Sequence, residues 1–409
     1  MRLSWKKEWT TIIILFLTFR LIYSALGVLV VSTLDSQLVV NNPIYTSAAS
    51  LLRQDRFSQL FINVWMRWDT GWFLKIAAFG YDKQDYSTAF MPLYPCLIRG
   101  VSYLLGGNYL LAALLISNLA CILTLILLYE VALQEGLLAE TASRAVLSFL
   151  FFPTTFFLFA AYTESLYLAL ILAAWLYAQR RNWLASGILA ALATLCRTQG
   201  VIMTVVLLLA FLVGCTQGQG KKPIEQVRRV IGLVTTRGGW ESLLTRLKRP
   251  DWLIILFPLL VLAGYNIWLR LAGMNSIAIT QEHGWERITV MPWRGFWLFL
   301  NRLFYSQHIL IDYIDLFLFI LAIGLSVYGL FYLSPAFSFY NWLTLAMILM
   351  VSSEKQLLLS FSRHFLALFS LFFLMGKIRS LPLRLAFLAI LFCLQIFLLL
   401  GFLQWRFVA

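Results

Sequence analysis

The chain has 409 residues, of which 61% are hydrophobic and only 12% charged, about half the charged share of an average soluble domain. With a mean hydropathy of +0.83 it is excluded from the soluble globular class. Its formal charge of +14 does not mark a nucleic-acid binder, because the Lys and Arg residues lie between apolar runs and not on a polar module with exposed aromatics. Each bilayer crossing takes ~20 apolar residues, so there is room for roughly ten to twelve spans and no large soluble domain.

A basic start (Arg2, Lys6, Lys7) precedes a first apolar run over residues 11–31. Without a small-residue cleavage site it reads as a retained span, not a cleaved signal peptide. Residues 35–90 carry five cations and five acids, a balance that places them opposite the basic amino end, as a first outer loop. Apolar runs follow at 110–129, 145–161 and 166–177, and Arg180 and Arg181 mark a cytoplasmic turn. One unbroken span over 183–213 would put residues 214–251 outside, yet that loop holds eight cations against three acids and belongs in the cytoplasm. The conflict vanishes if the chain turns back at Arg197-Thr198-Gln199-Gly200, a break tolerated where it lines a protein cavity. Later spans are expected at 252–271, 314–332, 338–351, 360–375 and 384–402, with Lys377, Arg379 and Arg384 inside. The result is an all-α polytopic membrane protein of about eleven transmembrane helices, its amino end inside and its carboxyl end outside. Its parts are an N-terminal membrane module (1–213), a basic cytoplasmic loop (214–251) and a C-terminal membrane module (252–409). No internal repeat is evident, which weakens a transporter built on inverted halves.

The first outer loop holds the sharpest motif: Arg67-Trp68-Asp69-Thr70-Gly71-Trp72-Phe73-Leu74-Lys75, then Gly80-Tyr81, then Ala89-Phe90-Met91-Pro92. Aromatics at 65, 68, 72, 73, 79 and 81 predict an amphipathic helix lying at the headgroup level, with Asp69 at the bilayer surface. A carboxylate held there can take a proton from an acceptor hydroxyl as a general base. The plainer alternative is that Asp69 caps a short helix over Gly71 and Trp72.

These residues resemble the PIG-V mannosyltransferase family, which adds the second mannose in GPI-anchor assembly, together with its bacterial relatives. The resemblance continues through Phe151-Phe152-Pro153 to Ala161-Tyr162-Thr163-Glu164-Ser165-Leu166-Tyr167, and through Cys196-Arg197-Thr198-Gln199-Gly200. It covers residues 65–201 and fades beyond 214. It implies a class C membrane glycosyltransferase that takes a hexose, mannose by the family, from a polyprenyl-phosphate donor and passes it with inversion to a glycolipid or other hydroxyl acceptor. Asp69 matches the catalytic position, with Trp68 beside it as a substrate contact. As the lipid phosphate departs, cations that grip it more strongly would lower the barrier. Arg197, at the proposed break, and Arg363 with His364, at the outer start of the 360–375 span, are the candidates, since an ionisable group at membrane depth costs about 2.5 to 3.5 kcal/mol and asks for a reason. The structural alternative for Arg197 is a buried pair with Glu164, which itself either orients substrate or holds Arg197. For His364 the alternative is an interfacial residue facing water.

Arg20, in the middle of the first span, is expected to pair with an acid inside the bundle. Asp312 and Asp315 fit helix N-terminal charges. Glu282 and His283, in an outer loop over 273–309, are candidates to shape an acceptor pocket. Cys96, Cys121, Cys196, Cys215 and Cys393 form no metal-ligand or redox pattern and read as small core residues. No Asp-x-Asp pair, metal cluster or cofactor motif is present, and Gly214-Cys215-Thr216-Gln217-Gly218-Gln219-Gly220-Lys221-Lys222 fails the phosphate-loop spacing and reads as a linker. Compact loops lean toward a bacterial plasma membrane with an extracytoplasmic site. A flippase for lipid-linked sugars, or a noncatalytic subunit of a glycosylation complex, remains the competing reading.

Overall fold

The computed structural model describes residues 7–33, 43–213, 232, 235–248, 250–306, 308–353 and 357–408. The glycine-rich stretch 214–222 and most of the basic loop lie outside these residues, as does part of the expected first outer loop. Helix α1 (Lys7–Thr33) buries Trp9, Ile12, Phe16, Phe19 and Tyr23 at helical spacing and leaves Ile14, Leu17 and Leu21 on the opposite, lipid-type face.

The loop expected outside folds into α2 (Pro43–Ala49), two tight helical turns over 58–65, and α3 (Asp69–Phe79). The expected surface helix is instead an interior one: Thr70, Gly71, Trp72, Phe73, Leu74, Ile76 and Ala77 are buried. Its faces are taken by α2 and by α4 (Leu93–Leu104). Gly71 is where α2 leans in, since a Cβ there would stand 2.8 Å from the Tyr45 ring.

Helix α5 (Tyr109–Gln134) begins on Asn108, whose side chain accepts the Leu111 N–H at 3.0 Å. Helix α6 (Ala139–Leu150) stops before Phe151-Phe152-Pro153, where proline can neither donate to nor continue the helix. The expected span over 145–161 is therefore α6 followed by a buried irregular segment with a single 3-10 turn, Thr155–Leu158. Buried carbonyls need donors, above all at membrane depth. Gln395 Nε2 donates to the Leu150 and Phe152 carbonyls at 2.9 and 2.7 Å, Asn118 Nδ2 and Arg20 Nη1 both to Phe159 O at 3.1 Å, Thr70 Oγ1 to Ala161 O at 3.2 Å, and Ser117 Oγ to Tyr162 O at 2.8 Å. Arg20 thus finds a carbonyl and the face of Trp65, 4.7 Å away, in place of the expected acid.

After α7 (Glu164–Gln179), helix α8 (Trp183–Cys196) ends at Arg197, which is extended at φ −149° and ψ 137°. A 3-10 turn at Thr198–Val201 leads into α9 (Ile202–Val213), which runs back, so that Phe211 packs on Trp183 with ring centroids 5.2 Å apart. Glycine permits the reversal: a Cβ on Gly200 would lie 2.4 Å from Thr194 N.

Next come α10 (Arg237–Leu247), α11 (Asp251–Ile255) and α12 (Phe257–Leu271). The segment that follows contains α13 (Ile277–Trp285), β1 (Arg287–Thr289) and α14 (Pro292–Tyr305). Helices α15 (Leu310–Tyr332) and α16 (Pro335–Met350) lead to β2 (Val351–Ser353), which pairs antiparallel with β1 and sets Arg287 opposite Ser353. The expected span at 360–375 consists of α17 (Phe361–His364), a 3-10 turn and α18 (Leu371–Met375), nearly all buried, before the closing α19 (Leu381–Leu403).

Among the described residues four helices, α1, α5, α15 and α19, are long and apolar enough to cross a bilayer, and five shorter apolar helices accompany them. The protein is a helical integral membrane protein, and the crossings counted from sequence include segments too short or too irregular to be single full-length helices.

Candidate active site

Trp68 adopts φ +46° and ψ −119°, a backbone state that a bulky residue holds only when its surroundings impose it. Its ring is gripped by the carboxyl-terminal tail, with Trp405 5.9 Å and Phe407 6.0 Å away between centroids. Arg67 ties the same tail down, its Nε donating to Leu403 O at 2.9 Å. The bend starts α3 at Asp69 and turns its carboxylate sideways. Gly71 N–H bonds to the Trp68 carbonyl at 3.0 Å, while Asp69 Oδ2 accepts from Arg363 Nη1 at 2.6 Å, so ion pairing replaces the capping alternative.

Arg363 also donates through Nε to Glu164 Oε1. That oxygen accepts Arg197 Nη1 at 2.5 Å, and Arg197 reaches Thr163 Oγ1 at 3.1 Å as well. Glu164, only 4% exposed, is therefore shared by two guanidinium groups. The Arg363 guanidinium lies over the Tyr162 and Phe157 rings, at 4.6 and 5.1 Å. Asp315 builds the seat of this arginine: its two oxygens accept the N–H groups of Ser362 at 2.8 Å and Phe361 at 3.2 Å. It is thus a bracket for the irregular α17 turn and not the helix-end charge expected. Asp312 does serve its helix end, accepting Ile309 N–H at 3.0 Å. His364 Nδ1 faces Gln199 Nε2 at 3.1 Å and joins the 3-10 turn after Arg197 to α17.

Trp68, Asp69, Arg197, Arg363 and His364 all line one cavity of about 440 Å³, within the usual range for a small-molecule site. Glu164 stands just behind, against a smaller void shared with Arg197 and Arg363. The six residues picked out by sequence are thereby gathered in one place. His283 and Glu282 are not part of it: both are exposed, and their loop reaches the cavity through Gln281, Trp285 and Arg287 instead. Tyr45 and Phe407 also line the cavity. Among the described residues no group of three His, Cys, Asp or Glu side chains is placed to hold a metal ion.

The charges divide unevenly. Asp69 and Glu164 match Arg197 and Arg363 one for one, while Arg287 has no carboxylate partner among the described residues. Burial pushes the pKa of Arg287 below the ordinary guanidinium value; the Asp69 charge opposes this and the Arg363 charge adds to it. Sequence reasoning missed Arg287 because its strand is three residues long and pairs with a partner far along the chain. The available signal was a cation two residues after Trp285, in a loop expected outside.

Residues 6–217, just over half the chain, match the family described as mannosyltransferase (PIG-V). The chain belongs to that family. The matched region carries Trp68, Asp69, Glu164 and Arg197, whereas Arg287, Arg363 and His364 lie beyond it. A crystal structure of the Archaeoglobus fulgidus oligosaccharyltransferase, tethered with an acceptor peptide, is similar with a TM-score of 0.44 and 12% sequence identity, over 96% of this chain and 55% of that one. The chain thus spans about half the length of that structure. No curated protein matches.

Proposed function

We propose that the protein moves one hexose, mannose by its family, from a polyprenyl-phosphate carrier to the hydroxyl of a glycolipid or other acceptor, with inversion at the sugar. The reaction is placed on the extracytoplasmic face of a bacterial plasma membrane, the side assigned to the net-neutral first loop. The observation that carries this reading is the position of Asp69 on the cavity wall, its Oδ2 held by Arg363 at 2.6 Å, with no described residue donating to Oδ1. An anchored carboxylate with one oxygen left over can accept the acceptor's proton while the hydroxyl oxygen attacks. The Arg363–Glu164–Arg197 array fixes it in place, which is the positioning that such a base needs. The absence of an Asp-x-Asp pair in the sequence speaks against a metal-bound nucleotide sugar and for a lipid-linked donor.

The test is to reconstitute the protein with mannose-labelled polyprenyl phosphate and a crude glycolipid acceptor pool, then follow the label. Covalent appearance of mannose in a new product with inverted anomeric configuration is the expected result. Label that crosses the membrane still attached to its carrier, with no new product, would make the protein a transporter.

A further inference from the structure

Arg197 and Arg363 were the cations expected to hold the donor's phosphate, but their charges are already matched by Glu164 and Asp69. Arg363 uses both Nε and Nη1 on carboxylates, and Arg197 uses Nη1 on Glu164 and Thr163. An anion that entered on these groups would meet guanidinium charges already compensated by carboxylates built into the fold. Arg287 is different: it lines the same cavity, carries the one positive charge there with no acid paired to it among the described residues, and is held by the β1–β2 ladder opposite Ser353, also on the cavity wall.

We infer that Arg287 is the seat of the carrier's phosphate, binding the phosphodiester of the lipid-linked sugar and gripping it harder as the bond to sugar breaks. The inference rests on the polyprenyl-phosphate reading above. A lipid-phosphate-sugar diester carries a single negative charge, which matches the single uncompensated cation. In the transfer, the acceptor oxygen bonds to the sugar's anomeric carbon as the bond from that carbon to the phosphate oxygen breaks. The electron pair stays on phosphate, making it a monoester dianion, and the acceptor's proton passes to the Asp69 carboxylate. Negative charge thus grows on the phosphate during the step, and a guanidinium fork placed there favours the later charge distribution over the earlier one. Because Arg287 comes from a separate outer segment, the phosphate seat and the base belong to different parts of the chain.

The experiment compares binding of undecaprenyl phosphate and of undecaprenol to the full-length purified protein. Wild type should prefer the phosphate, and Arg287→Gln should weaken phosphate binding about 10- to 100-fold while leaving undecaprenol binding unchanged. Arg287→Lys should recover part of the preference, since the charge returns without the fork. Equal weakening for both lipids would reveal a merely structural residue, and unchanged phosphate preference in Arg287→Gln would overturn the assignment while leaving the donor reading intact. Wild type with no preference for the phosphate would sink the donor reading itself, and Arg287 with it.

Discussion

The half of the chain up to residue 213 and the half after it build the same cavity from different parts. The first contributes both acids, Asp69 and Glu164, with Arg197. The second contributes Arg363, Arg287, His364 and the tail residues against Trp68. Each acid is paired with Arg363 from the far half, so the part of the chain after residue 213, little of which could be recognised in sequence, is no passenger. The family-like motifs thus mark both carboxylates and one of their cations, Arg197, while Arg363 and Arg287 come from a short irregular turn and a three-residue strand beyond the family match.

The dependence of one half on the other is greatest at Arg363. Arg363→Ala removes one partner from buried Glu164 and the hydrogen bond from Asp69, a class of change that costs roughly 3 to 5 kcal/mol. A large drop in melting temperature together with loss of transfer is expected. Arg363→Lys should regain some stability but little activity, because an ammonium cannot bridge two carboxylates in the same fork. Melting curves unaffected by Arg363→Ala would show that the two halves do not depend on one another here. A middle-sized effect is expected from Asp315→Ala, which leaves the Phe361 and Ser362 N–H groups without their acceptor at about 1 to 3 kcal/mol. Turnover should fall with the donor KM nearly unchanged, because the variant shifts Arg363 and not the phosphate seat. The smallest effect belongs to Glu282→Gln and His283→Ala, on exposed positions of α13: stability within about 0.5 kcal/mol and wild-type turnover. A clear loss of activity in either would return that face of the loop to the site.

How far the sequence carried the reading depended on regularity. The long apolar helices were legible, and so was the reversal at Arg197, because the basic loop after it forced a change of side. The buried segments around 151–163 and 360–370 were not, since an apolar run reads the same whether it is a helix or an irregular stretch. What decides between the two is Pro153 and a set of donors distant in sequence, Arg20, Asn118 and Gln395, that satisfy the stray carbonyls. In the site, Asp69, Glu164 and Arg197 were visible as motif residues and Arg363 as a charge in an apolar run. Arg287 had neither mark. The aromatics around Asp69 were read as a surface stripe, but α2 and α4 enclose them, and no periodicity announces a neighbour that covers a face.

The most direct measurement is the turnover of Asp69→Asn in the full-length protein, with melting temperature and undecaprenyl phosphate binding recorded alongside. If Asp69 is the base, the rate of transfer falls by about 100- to 10,000-fold with folding and carrier binding retained, because the amide keeps the shape of the carboxylate but cannot accept the acceptor's proton. Turnover close to wild type would contradict that assignment and return Asp69 to the role of a structural partner for Arg363.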